Sequence, residues 1–162
     1  MTYETGDTIQ IWGEPYTLSV LEDTRYSLTP HENGTATLVV REGCTKEQKE
    51  KFVLEWYRKE LTERVDILLP KYEAFTGLKC SGWQSKAMKT RWGTCNTKTK
   101  KIWLNVYLAE HPTECLEYVI LHELAHTVVP NHGYDFKAIL NRFMPEWKQY
   151  RKLLNDRAKA NF

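Results

Sequence analysis

Apolar residues in this chain switch between two spacings, and the switches divide it into blocks. Phe52, Val53, Trp56, Tyr57, Leu61, Val65 and Leu68 recur at three- and four-residue intervals, the period of a helix with one buried stripe. Thr45 with Gln48 three residues on forms a capping box, which sets this long helix at about 45–69. Pro70 is expected to end or kink it, with a short continuation to Phe75 closed by Gly77. Upstream, Thr8 to Trp12, Tyr16 to Leu21 and Thr35 to Arg41 are short β-prone runs. Turn chemistry at Gly13-Glu14-Pro15 and Asn33-Gly34 separates them, so residues 1–43 are expected to form an antiparallel meander.

Downstream the period changes again. Leu78 to Met88 can form one strand, and Ile102 to Leu108 alternates cleanly, with Ile102, Leu104, Val106 and Leu108 on one face. Trp92-Gly93-Thr94 and the polar stretch from Asn96 to Lys100 lie between them, which predicts a β-hairpin over about 78–108. Pro112 suits a helix start, and Leu116, Val119, Ile120, Leu124 and Val128 then mark an apolar stripe over about 112–129. Pro130 stops that helix. Phe136, Leu140 and Phe143, then Trp147, Tyr150 and Leu154 after Pro145, predict C-terminal helices over about 134–160. The predicted class is α+β, in one domain over residues 1–162.

Composition narrows the class. A content of 41% hydrophobic and 12% aromatic residues supports a folded globule, and no apolar run reaches the roughly 20 residues of a membrane helix. The N-terminus is acidic and lacks the apolar core of a signal peptide. Cys44, Cys80, Cys95 and Cys115 are scattered with no C-x-x-C pair, which reads as small buried thiols in a cytoplasmic protein rather than a disulfide framework or cysteine zinc site. The net charge of +2 hides a contrast: residues 1–75 carry −5, residues 76–109 carry +7 with no acid, and residues 110–162 carry zero. The basic block can attract an anionic partner or form a solvated surface.

The chemistry concentrates at His122-Glu123-Leu124-Ala125-His126. Histidines at i and i+4 stand on one helix face, one turn apart, and can share one metal ion. Glu123 lies about 100° round the helix and can act as a base on a water polarised by that metal. Three of the five histidines fall in this region, because His132 follows His122 by ten residues. His132 is the preferred third ligand. Glu146, twenty residues after His126, is the alternative, although the first turn of a helix favours an acid there without any metal. The ten-residue spacing matches the metzincin signature, but Val129-Pro130 replaces its glycine turn, and Met144 reads as a core residue. His111 is a possible helix cap.

A series of blocks carries a family resemblance: Arg91-Trp92-Gly93-Thr94-Cys95, Leu104-Asn105, Tyr118 to His126, and Asn131-His132. Together they resemble the YgjP-like metallopeptidase family, related to the SprT-like zincins. The first block is usually R-W-G-S-C there, so Thr94 departs from it. The resemblance implies a zincin-like α+β fold, with an antiparallel sheet packed against the helix that carries the motif. It implies Zn2+, or another divalent metal, on His122, His126 and His132, with Glu123 as catalytic base. A peptide or protein substrate follows from it, lying along the strand before the motif helix. Arg91 is the candidate anion contact, since a guanidinium binds carboxylate or phosphate bidentately. Asn105 belongs to the same blocks, and Tyr134 and Asn131 lie near His132 as weaker candidates for substrate or oxyanion contact. Two other functions fit the residues. The basic segment 79–101, with Trp83, Trp92 and Trp103, could hold a nucleotide for phosphohydrolysis at the same site. It could equally bind nucleic acid around a structural zinc.

Overall fold

The computed structural model describes residues 1–156. Four strands open the chain: β1 (Thr8–Ile11), β2 (Glu14–Asp23), β3 (Ser27–Pro30) and β4 (Thr35–Arg41). They form one sheet in the order β1-β2-β4-β3. The expected meander is realised only in part. β1 and β2, and β3 and β4, pair antiparallel, but β2 and β4 run parallel, with Leu18 opposite Ala36 and Val20 opposite Leu38. The Asn33-Gly34 turn does close the β3–β4 hairpin. β3 lies on the outer side of β4, which lets β4 lie beside β2 in the same direction. Turn chemistry fixes neighbours in sequence but not which edge of the sheet receives them.

The long helix α1 (Lys46–Thr76) begins at the expected capping box, where Gln48 N–H donates to Thr45 Oγ1 and Thr45 N–H to Gln48 Oε1. It does not stop at Pro70 but runs to Gly77, whose left-handed backbone caps it through an N–H bond to Glu73 O. Proline in a helix interior costs ~3 kcal/mol. Burial of Leu69 and Tyr72 on either side of it offsets that cost at about 1.5–3 kcal/mol per side chain. The helix joins two apolar cores. Val53 and Tyr57 pack with the first sheet, and Leu61, Val65, Leu69 and Tyr72 with the C-terminal half.

A second sheet, in the order β5-β7-β6, contains β5 (Gly82–Lys86), β6 (Gly93–Cys95) and β7 (Lys101–Asn105). The hairpin is therefore β6–β7; β5, the shortened form of the expected 78–88 strand, pairs with β7 in parallel. The expected strand to Leu108 ends at Asn105, and Val106–Glu110 form a 3-10 helix. Asn105 causes the break, because its Oδ1 accepts from Tyr107 N–H. Val106 and Leu108 are buried all the same.

Helix α2 (Thr113–His126) is buried nearly all round, as a central core helix must be. It ends before the expected residue 129, and Val128 is exposed. Its N-cap is Pro112, while His111 caps the end of the 3-10 helix through its N–H to Leu108 O, with its ring buried edge-on to Trp92 at 4.9 Å between centroids. Lys100 Nζ donates to Thr127 O at the end of α2, so part of the basic block ties the hairpin to this helix. Helices α3 (Tyr134–Phe143) and α4 (Trp147–Asn155) cover α2, with Phe136, Leu140, Trp147 and Leu154 inward. The expected helical residues 157–160 lie outside the described residues. No helix among the described residues is long and apolar enough to cross a membrane.

Candidate metal centre

The last turn of α2 and the turn after it bring three imidazoles together. His122 is buried, His126 half-buried and His132 exposed, and one ring nitrogen from each lies within 4.8 Å of the others. Local chemistry returns the chain to the helix. Pro130 prevents continuation, and Asn131 Oδ1 accepts from Gly133 N–H, closing a turn that points His132 back at His126. His126 Nδ1 donates to Val129 O at 2.9 Å, which fixes its tautomer and leaves Nε2 with its lone pair facing His132 Nε2, also at 2.9 Å. Phe136 backs all three rings, stacked on His126 at 4.6 Å and edge-on to His122 and His132.

The arrangement fits a divalent metal. Zinc–imidazole bonds of about 2.0–2.1 Å place ligand nitrogens roughly 3.3 Å apart in a tetrahedron. Three imidazole nitrogens, with no fourth His, Cys, Asp or Glu grouped with them among the described residues, make the donor set of an open zinc site. Burial pushes His122 down to about 3, aided by the charges of His132 and Arg151, and lowers His126 as well. Both rings are therefore neutral, the form that binds metal. Glu146 is exposed at the start of α4, outside this cluster.

Glu123 is 1% exposed and lies 3.2 Å from His122 Nδ1 through Oε2. Burial pushes its carboxyl up to about 8, against the opposing pull of His126, His132 and Arg91. The contact is short enough for an ion pair, but burial drives both groups to their neutral forms. In the metal-free protein it is a hydrogen bond between uncharged groups. A divalent cation at the imidazoles favours the carboxylate.

Glu123 and the three histidines share a recess of about 190 Å³ with Arg91, Thr94 and Cys95. Arg91 thus reaches the cleft. Asn105 does not: it is fully buried, and its amide Nδ2 donates to Met88 O and Arg91 O while Oδ1 accepts from Tyr107 N–H. Asn105 fastens the loop that carries Arg91 rather than touching a substrate. Tyr134 is 86% exposed and lines neither recess beside the histidines, and the Asn131 oxygen is committed to its turn. Gly93, which the sequence places between the two strands of the hairpin, lies in β6. A Cβ there would lie 3.0 Å from Glu123 Oε2 and 3.0 Å from Val119 Cγ1, so the glycine lets β6 approach the acid. Phe136 carries no sequence signal beyond helical spacing, and Cys95 is marked only by its place in the Arg91–Cys95 block.

The model of the YgjP-like metallopeptidase domain matches residues 1–157. The chain belongs to the YgjP-like family. It is accordingly a metal-dependent hydrolase with a metallopeptidase domain. Two solved structures resemble it, both metallopeptidase zymogens. Jannalysin of Methanocaldococcus jannaschii is 26% identical with a TM-score of 0.51, covering 58% of this chain and 96% of its own. Abylysin of Pyrococcus abyssi is 19% identical with a TM-score of 0.53, covering 59% and 96%, and supports the zincin-like fold alone. No protein of curated function matches the chain.

Proposed function

We propose that this YgjP-like protein is a zinc peptidase in which His122, His126 and His132 hold the metal and Glu123 is the general base. The observation that carries the reading is the convergence of three imidazole nitrogens within 4.8 Å, with a buried carboxyl beside them in the same recess. A bound zinc ion supplies Lewis acidity, polarising the attacked carbonyl and lowering the pKa of water to about 7. Glu123 takes the proton of the attacking water at its carboxylate and returns it to the leaving amine. Val129 O orients His126, and Phe136 holds the three rings in place. Arg91, in the same recess, serves as the contact for a substrate carbonyl or carboxylate.

The substrate is a peptide or protein segment in extended form. β7, the strand before the motif helix, is internal to its sheet, so the available edge is β6, which reaches the recess through Gly93, Thr94 and Cys95. A peptide adds to that edge by main-chain hydrogen bonds. Four free thiols support a reducing, cytoplasmic setting. The test is Glu123→Gln: zinc content should equal wild type while peptide hydrolysis is lost. Full hydrolysis by that variant removes Glu123 from the role of base.

A further inference from the structure

The second sheet meets different surroundings on its two faces. Its inner face packs on helices: Ser85 Oγ accepts from Arg58 of α1, and Gly93 lies against Val119 and Glu123 of α2. On the outer face the register sets Gln84, Trp103 and Thr94 side by side. Strand alternation puts Lys86 and Lys101 on that same face. Lys101 Nζ stands 4.5 Å from the centre of the Trp103 ring and donates to Gln84 Oε1. The loop that Asn105 fastens through Met88 O and Arg91 O closes one end of the face and carries exposed Lys89. The β6–β7 turn closes the other end and carries exposed Lys98.

Charge and position each restrict what this face can hold. Lys86, Lys89, Lys98 and Lys101 form no ion pair with a described residue, and residues 76–109 contain no Asp or Glu. Like charges gathered in this way raise the local concentration of an anionic partner. Lys100 is occupied elsewhere, with its Nζ donating to Thr127 O, and Arg91 lies in the histidine recess. The remaining groups are ammonium point charges, each suited to a single carboxylate. Base stacking needs a bare ring, and Trp103 already carries the Lys101 ammonium. Both observations favour an acidic polypeptide over a nucleic acid. The face also continues the β6 edge, which reaches the recess through Thr94. A chain added to that edge points successive side chains alternately to the recess and to the outer face.

We infer that the outer face of the second sheet is an exosite for acidic residues of a polypeptide substrate, with Lys86, Lys89, Lys98 and Lys101 as the recognising groups. This rests on the peptidase reading for its part in substrate choice, though not for binding itself. Asp or Glu at alternate positions of the bound segment faces the lysines, while the residues between them face the histidines.

Two measurements on the full chain decide it. In the first, metal-free protein at low salt is titrated with labelled peptides that alternate Glu with Ser or Gln with Ser, and anisotropy gives the affinities. An exposed ion pair adds up to about fivefold, so the Glu peptide should bind about tenfold more tightly than the Gln peptide. It should also shift the Trp103 indole N–H resonance. Lys86→Glu with Lys89→Glu and Lys98→Glu, three exposed side chains, should erase the preference. Reversing Lys46, Lys51 and Lys152 to Glu, on α1 and α4, should leave it within about twofold, because charges beyond about 10 Å are screened. Equal binding of the two peptides by wild type, equal weakening by both sets of reversals, or an unmoved Trp103 signal overturns the assignment. A single-stranded oligonucleotide of equal charge that binds more tightly than the Glu peptide gives the face to nucleic acid and also overturns it. In the second, zinc-loaded protein cuts a common peptide core flanked by either sequence. The Glu flank should lower KM about tenfold with kcat unchanged, and equal KM for the two substrates counts against the exosite. Selective binding of the Glu peptide without any cutting leaves the surface standing and removes the peptidase reading instead.

Discussion

Replacing Gly93 with Ala adds one methyl where β6 meets Glu123, the proposed general base. Gly93 is not among the glycines with positive φ, so its backbone admits alanine and the difficulty is contact alone. The new Cβ would meet Glu123 Oε2 and Val119 Cγ1 at 3.0 Å and Glu123 Cγ at 3.1 Å. Carbon contacts are optimal at about 3.5–4.0 Å, so neighbours must retreat by roughly half an ångström. Register pairing of Gly93 with Leu104 and the bond from Asn105 N–H to Trp92 O hold the strand. Val119 is fully buried and β-branched, with little rotamer freedom. The Glu123 carboxylate, at the end of a flexible side chain, is the group that moves. A misplacement of about 1 Å can cost 10²-fold in rate, so kcat should fall about 10- to 100-fold. Overpacking should cost about 1–3 kcal/mol in denaturant unfolding. KM and zinc content should change little, since the histidines are not touched. Val119→Ala in the same background removes one of the clashes and should recover part of kcat. Wild-type kcat in Gly93→Ala, with an intact fold, refutes the positioning role.

Three further outcomes follow from the same geometry. In the metal-free protein Glu123 is raised from 4.5 to about 8, so its stabilising contribution is complete below pH 4.5 and lost as pH rises toward 8. Metal-free Glu123→Gln should therefore be more stable than metal-free wild type at pH 8, by a few kcal/mol at most, with the gap closing near pH 4.5; urea melts at both values check this. Asn105→Ala strips partners from Met88 O, Arg91 O and Tyr107 N–H and should destabilise by about 2–4 kcal/mol, whereas a loss below 1 kcal/mol would show the loop anchored elsewhere. Phe136→Ala opens a cavity worth about 3–5 kcal/mol and frees the imidazoles, so competition with a chromophoric chelator should read about tenfold weaker zinc binding; unchanged affinity removes Phe136 from that supporting role.

What the sequence made legible was local. The Thr45–Gln48 capping box, the Gly77 cap and the Asn33-Gly34 hairpin are each encoded by residues within a few positions of one another. So is the i, i+4 placement of His122 and His126. Pro70 was misleading because a local penalty was outweighed by Leu69 and Tyr72 entering a core built by distant residues. The parallel β2–β4 pair depends on sheet order, which no turn motif specifies. Asn105 looked like a site residue because it lies in a motif, but its role emerges only when Met88 and Arg91 fold over it. Gly93 meets Glu123 across 30 residues of chain and Phe136 meets His122 across 14, so spacing alone could not expose them.

X-ray absorption at the zinc edge of the metal-loaded protein tests the central claim most directly. The three-histidine account predicts one zinc with three imidazoles at about 2.0–2.1 Å, visible as outer-shell scattering, plus one lighter oxygen donor. A sulfur at about 2.3 Å, fewer than three imidazoles, or no stoichiometric zinc would contradict it.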